Sequence, residues 1–326
     1  MIIYGKNAIG KTVFSRALVD VVTHITSRPF GQNNDIYYLN ADGSCKYAEF
    51  RYVFQFGDDQ IEYIYRKEKQ QKLIYEKVII NGELFFEYDR MRTENRNVEG
   101  IKKISPTLIL DFENVGSIVN YVVANTPLSS DNPLRKAVSF VGGILSASHE
   151  NVYHESELFS QIGIRGKKDL GEFEKFLKDS GINVSLTFLL DNDREQRIYF
   201  KTLQPLPFRE AASSGTKELY KLYIMYKLAS ASASAGLASL LIFDEYDAVY
   251  HFELAEHIIK MFQKFKKTQV IFTSHNTNLL SNRFMRPDCL FIMTKNKLTS
   301  LPNATKRELR EGHNLEKLYM SGEFDE

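Results

Sequence analysis

The chain begins MIIYGKNAIGKT, and Gly5 to Thr12 fits the spacing G-x-x-x-x-G-K-[ST]. MIIY reads as a short apolar strand. Behind the glycines, TVFSRALVDVVTHIT carries Val13, Phe14, Ala17, Leu18, Val21, Val22 and Ile25 on one face at helical spacing. Strand, glycine-rich loop and helix in that order aim backbone N–H groups and the positive end of a helix at one point, where a phosphate can sit. Gly5, Lys6, Asn7, Ala8, Ile9, Gly10, Lys11 and Thr12 are therefore the candidate ATP-binding loop. Lys11 would reach the β- and γ-phosphates, and Thr12 would ligate Mg²⁺. The bland alternative is an ordinary glycine-rich turn. Its place between a strand and a helix favours the phosphate site.

From Phe50 to Tyr88 the hydrophobic period changes to two. Phe50, Tyr52, Phe54 and Phe56 alternate, Gly57-Asp58-Asp59 turns the chain, and Ile61, Tyr63 and Tyr65 alternate again. Asn81-Gly82 between VII and ELFF is a strong hairpin signal. An antiparallel sheet is expected here. Residues 113 to 183 read mostly as helices, including PLRKAVSFVGGIL and DLGEFEKFLKDSGI, the latter closed by Gly181. VSLTFLL and RIYFKTL form a hairpin around Asp191-Asn192-Asp193. After ASSGTKELY a helix runs to about Ala229, and SASASAGLAS reads as a loop. The last third alternates strand and helix through LLIF, HFELAEHIIKMFQKF, QVIFTS and CLFIMT, which predicts parallel strands.

Three further stretches carry chemistry. LLIFDEYD (240 to 247) ends a buried strand in Asp244 and Glu245, at the sheet edge where ligands bind in α/β folds. Asp244 would hold Mg²⁺ through water, and Glu245 would take a proton from the attacking water. QVIFTSHN places His275 just past the next strand, where it can hydrogen-bond the γ-phosphate and that water. ASSGTKELY sets Ser213, Ser214 and Gly215 at a helix N-terminus, a second anion-binding surface. Taken singly, each has a plain structural reading: acids capping a strand, a loop histidine, a capped helix. The Asp191-x-Asp193 pair suits a hairpin turn better than a nuclease metal site, which would need a strand-end glutamate upstream.

The bulk composition is that of an ordinary globular chain, with 43% hydrophobic and 25% charged residues over 326 positions. A formal net charge of +1 gives no global pull toward nucleic acid or membrane. Cys45 and Cys289 have no metal or redox spacing, which suits a reducing cytoplasm. No apolar run reaches the roughly 18 residues of a membrane span, so no membrane partner is expected.

The order of these motifs resembles the ABC-type ATPase heads, in the OLD-like and SMC-like branch of bacterial AAA family ATPases, many from anti-phage defence operons. Nearly the whole chain takes part: phosphate loop, aromatic antiparallel sheet, helical lobe, S-S-G-T-K, the Asp-Glu pair, T-S-H-N and the tail NLEKLYMSGEF. Against the signature LSGGQ or LSSGE, Ser213 falls on the serine and Gly215 on the last glycine. Ala212 replaces the leucine and Thr216 the Gln or Glu. In the branch pattern DEPExxLHP, DEYDAVYH keeps Asp247 and His251 but not the proline. The branch carries about two strands ahead of the loop that grip the base. The resemblance thus assigns no residue to base recognition and does not fix the natural start of the polypeptide. It gives no firm Q-loop glutamine either; Gln55 is the candidate.

The resemblance implies an α/β P-loop NTPase fold, an ABC-ATPase-like head with an antiparallel β lobe and a helical lobe. One domain would span 1–326, with the P-loop core at 1–45, the β lobe at 46–112, the helical lobe at 113–183 and the signature, acid-pair and histidine core at 184–326. It implies an ATPase that closes as a head-to-tail homodimer over ATP and Mg²⁺, with Ser213–Gly215 of one subunit covering the γ-phosphate of the other. Its expected output is a switch controlling a separate effector, a nuclease or toxin in phage defence. Higher oligomers and DNA stay open as partners. The alternatives are a DNA-repair or chromosome-handling SMC-like ATPase, a transporter's nucleotide-binding subunit and a scaffold that binds ATP without hydrolysing it. For the effector, the free surfaces are the helical lobe and residues 305 to 326, where Arg307, Arg310 and Lys317 interleave with Leu309, Leu315, Leu318 and Tyr319. That tail reads either as a docking helix or as a helix packed on its own domain.

Overall fold

The computed structural model describes residues 1–26, 39, 43–68, 72–148, 152–153, 163–190, 194–235, 238–248, 250–283, 285–310 and 312–324. Strand β1 (Ile2–Tyr4) leads into helix α1 (Lys11–Thr26). Then come β2 (Tyr47–Phe56), β3 (Asp59–Glu68), β4 (Leu73–Ile80), β5 (Glu83–Asp89) and β6 (Arg96–Asn97). Helices α2 (Glu99–Ile104), α3 (Ile118–Asn125) and α4 (Pro133–Gly142) precede β7 (Ile144–Ser148) and β8 (Val152–Tyr153). Next are α5 (Lys167–Asp179), β9 (Leu186–Leu190), β10 (Gln196–Phe200), β11 (Leu206–Pro207), α6 (Phe208–Ala211) and α7 (Ser214–Ala235). The chain closes with β12 (Leu240–Asp244), α8 (Phe252–Phe262), β13 (Gln269–Ser274), β14 (Leu290–Met293), β15 (Leu298–Ser300) and α9 (Leu315–Met320). Two compact units result: Met1–Thr12 with Leu145–Glu326, and Val13–Ile144.

The first unit is built on a seven-stranded sheet of order β15-β14-β1-β13-β12-β7-β8. β1 pairs in parallel with β13 and β14, and β12 pairs in parallel with β13, as the alternating strand and helix pattern predicts. Every position of β12 is buried, the mark of a strand covered on both faces. Its Phe243 stacks on Phe272 of β13 at 5.1 Å and meets Phe262 of α8 edge-on at 4.9 Å. Parallel pairing brings the carboxyl ends of β1, β12 and β13 to one edge. The fold is thus α/β, with strand, loop and helix of the P-loop NTPase kind at the middle of a mainly parallel sheet. A separate three-stranded antiparallel sheet, β11-β10-β9, contains the expected hairpin. Its turn at Asp191–Asp193 lies outside the described residues.

The second unit carries a five-stranded antiparallel meander, β2-β3-β4-β5-β6. Asn81 and Gly82 have φ of 52° and 82°, the left-handed pair that a two-residue hairpin turn requires. The alternation of β2 lines Phe50, Tyr52, Phe54 and Phe56 along one face as a stacked ladder. Phe54 and Phe56 both meet Phe140 of α4 edge-on at 5.9 Å. Two acids, Asp20 partly and Glu76 wholly buried, tie helices to this sheet. Asp20 of α1 accepts from Tyr65 Oη at 2.5 Å and pairs with the fully buried Lys67 ammonium. Glu76 of β4 accepts from Tyr63 Oη (2.9 Å), Arg90 Nη2 (3.0 Å), Ser117 Oγ (3.0 Å) and the Ile118 N–H (3.0 Å), which caps α3.

Three expectations need correction, and one open alternative is decided. SASASA is not a loop: α7 runs unbroken to Ala235, because alanine favours helix and serine tolerates it. Residues 113–183 are not helical throughout: α3, α4 and α5 lie there, but Ile144–Ser148 pairs into the large sheet. Val13, expected on the buried face of α1, is 65% exposed, while Ser15 and Val19 are buried. The tail forms only a six-residue helix, and Leu315, Tyr319 and Phe324 are buried in the core of their own unit. No helix among the described residues is long and apolar enough to cross a membrane.

Candidate functional site

β1 ends at Tyr4, which lies opposite Ser274 in the parallel register. The Gly5 N–H donates to the Ser274 carbonyl oxygen at 3.3 Å, and there the chain leaves the sheet. Ala8 (φ 61°) and Gly10 (φ 107°) then take left-handed backbone, the kind of turn from which anion-binding concavities of N–H groups are built. Among the described residues none accepts a hydrogen bond from the N–H groups of Asn7, Ala8, Ile9 or Gly10. A Cβ on Gly5 would stand 2.8 Å from Ile9 Cγ2, so the tight turn needs glycine. Lys11 opens α1 and is only 3% exposed; its ammonium donates to the carbonyls of Gly5 (2.9 Å) and Lys6 (3.2 Å) across the loop. Free backbone donors, a sixteen-residue helix and a buried cation fit a polyphosphate.

The acids stand at the same sheet edge. Thr273 of β13 donates its hydroxyl to Asp244 Oδ1 at 2.6 Å and accepts the Glu245 N–H at 2.8 Å. Asp244 is buried and Glu245 half-buried. Glu245 has φ of 49°, a left-handed conformation that costs a non-glycine residue on the order of 1–2 kcal/mol. That strain turns the chain sharply after β12. One position on, Ser274 donates to Asp247 Oδ2 at 2.7 Å and accepts the Asn276 N–H at 2.9 Å. Burial pushes the Asp247 carboxyl above the usual range, with the Ser274 hydroxyl partly offsetting it. His275 is exposed, directly past β13. The Thr12 hydroxyl and Asp244 carboxylate are the hard-oxygen set that suits Mg²⁺ completed by water and phosphate.

The structure therefore gathers Gly5–Thr12, Asp244, Glu245 and His275 on three adjacent strands. It does not bring Ser213–Gly215 to them. Among the described residues no hydrogen bond joins that stretch to the phosphate loop. Ser213 caps α7 instead, its Oγ accepting the Thr216 N–H at 3.3 Å and lying 2.9 Å from Thr216 Oγ1. Ser213 and Gly215 line a cleft of about 570 Å³ with Gly181, Tyr250, His251 and His257. Gln55 is the last residue but one of β2, its amide donating to the Gly57 carbonyl at 2.5 Å at a hairpin turn. From sequence, Thr273 and Ser274 stand within T-S-H-N and Asp247 matches the branch pattern, but none of the three has a role there. The available signal was a pair of hydroxyls closing an apolar strand, one position before the histidine.

Residues 123–281, just under half of the chain, match a family profile described as "AAA domain, putative AbiEii toxin, Type IV TA system". The matched segment holds Ser213–Gly215, Asp244, Glu245 and His275. Comparison with curated proteins finds no match. Among solved structures, the chain is similar to an SmcHead bound to the C-winged helix domain of ScpA, at 15% identity, covering 92% of this chain and 89% of that one with a TM-score of 0.46. It is similar to the recombination mediator protein RecF with ATP of the RecFOR pathway, at 13% identity, 92% of each chain and a TM-score of 0.44. It also overlays on the SMC head domain from Thermotoga maritima, at 13% identity, 92% and 89% coverage and a TM-score of 0.42.

Proposed function

We propose that the chain binds and hydrolyses ATP in an ABC-type composite site. The observation that carries this reading is the junction at β13, where Thr273 holds both acids and Ser274 meets the first residue of the loop. The loop N–H groups and Lys11 bind the β- and γ-phosphates. Glu245 takes a proton from the attacking water as the bond from the γ-phosphorus to the ADP oxygen breaks, and His275 orients that water. Mg²⁺ held by Thr12 and Asp244 would neutralise charge on the phosphates. Ser213–Gly215, in a cleft of their own, are free to cover the γ-phosphate of a second copy in a head-to-tail dimer. Closure and reopening then serve as a switch for a separate effector, a nuclease or toxin of a defence system, which the toxin–antitoxin wording of the matched family supports.

Glu245→Gln should bind MgATP yet lose about a hundredfold or more in turnover, whereas Lys11→Ala should lose binding. Phosphate release and a fluorescent-nucleotide titration measure the two. Normal turnover in Glu245→Gln would remove the assigned base. The alternative, an SMC-like ATPase working on DNA, is separated by duplex binding with and without ATP: tight, nucleotide-dependent binding without an effector favours it.

A further inference from the structure

Ser274 joins three segments at the carboxyl edge of the large sheet. Its carbonyl meets the Gly5 N–H, its hydroxyl donates to Asp247, and the same hydroxyl accepts the Asn276 N–H. His275 is thus bracketed. The residue before it is fixed by strand pairing, and the residue after it by a hydrogen bond to that hydroxyl. Ser274 is wholly buried and Asp247 is 8% exposed. Asp247 Oδ1 has no hydrogen-bond partner among the described residues. A buried carboxyl with one oxygen unpartnered is a costly tether, and an apolar residue would fill the space at less expense. What only an acceptor can do here is take the serine proton, which leaves the hydroxyl's lone pairs facing Asn276.

We propose that Asp247 is a positioning residue for His275: through the Ser274 hydroxyl it sets the turn that holds the imidazole over the reacting water. The proposal rests on the reading of the site as an ATP-hydrolysing one. It separates Asp247 from Glu245, only two positions away, in kind: Glu245 meets the water, and Asp247 never does.

The test uses the full chain with MgATP and steady-state kinetics. Asp247→Ala and Ser274→Ala should each lower kcat about tenfold while KM for ATP changes less than about twofold, since the loop that binds phosphate is untouched. Asp247→Asn should rescue turnover, because an amide oxygen accepts the same bond and carries no charge to bury. In a His275→Ala background, Asp247→Ala should cost nothing further. An undiminished loss in that background overturns the proposal, as does Asn behaving like Ala. If Asp247→Ala fails to fold, Ser274→Ala and Asp247→Asn, which keep the volume, decide the matter in the same way. Turnover indifferent to Glu245→Gln would bring down the hydrolysis reading and this proposal together. Turnover that needs Glu245 but not Asp247 overturns this proposal alone.

Discussion

Glu76 is a carboxylate with no access to water, and it holds four donors at once. Its partner Arg90 is nearly as buried, with 8% of its side chain exposed. Glu76→Ala would strand that guanidinium, the Tyr63 hydroxyl and the first N–H of α3. The expected loss is about 3–5 kcal/mol, read by urea unfolding. Asp20 and Asp247 should respond to pH with opposite signs. Burial alone would raise Asp20, but His24 and Lys67 outweigh it and hold the carboxyl below its usual value. Its contribution is therefore present above the ordinary carboxylate range and lost as pH falls through the lowered value, so Asp20→Asn should lower Tm at neutral pH and little in acid. Asp247 is raised by burial, so its contribution is full in acid and lost as pH rises. Asp247→Asn should then raise Tm at neutral pH and leave it unchanged near pH 3; thermal scans across pH check both. These anchors were partly legible. Glu76 falls in phase with Ile74 and Val78, and Lys67 with Tyr63 and Tyr65, on the inward side of their strands. What alternation lacks is the partner, because Ser117 and Asp20 arrive from distant segments.

Elements were most readable where period and punctuation agree. β1 and α1, the aromatic hairpin, the Asn81-Gly82 turn and α8 all stand where spacing puts them. α7 shows where periodicity fails. Leu219, Leu222, Tyr223, Ile224, Met225 and Leu228 are buried around most of its circumference, so no single apolar stripe marks its course. Its continuation through small residues is a matter of propensity, which a search for stripes overlooks. α2 teaches a related lesson. Its Gly100 lies so close to β5 that a Cβ would stand 2.2 Å from the Phe85 carbonyl oxygen. Gly100→Ala should push helix from strand at a cost of about 1–3 kcal/mol, even though alanine is the better helix former. A matched Tm gain would show that the approach is not the constraint. Nothing in the local sequence marks Gly100 as a packing residue, since the contact depends on where β5 runs.

At the scale of the molecule, the candidate site was legible in its parts and not in its wiring. The loop, the acid pair and the histidine each carry a local pattern, whereas Thr273 and Ser274 acquire meaning only when β13 lies between β1 and β12. The proposed dimer makes a whole-assembly prediction. Lys11→Ala and Ser213→Arg subunits, each inactive alone, should recover about one working site per heterodimer when mixed, and a mixing curve without recovery would count against closure in trans. An effector encoded nearby should co-purify in a nucleotide-dependent way. The interruption of one unit by the other bears on birth as well as on action. β1 is made long before its neighbours, since Ile2 lies opposite Phe272 on one side and Leu290 on the other. The meander of residues 47–97, by contrast, closes on near neighbours as it is made. At ordinary synthesis speeds of about 5–20 residues per second, the nascent chain carries an unpaired apolar strand on the order of tens of seconds before its partners leave the ribosome. The candidate phosphate loop is thus translated well before the strands that shape its base. A message broken before β14 would leave β1 without one of its two parallel neighbours, and the candidate loop behind it without half of its frame.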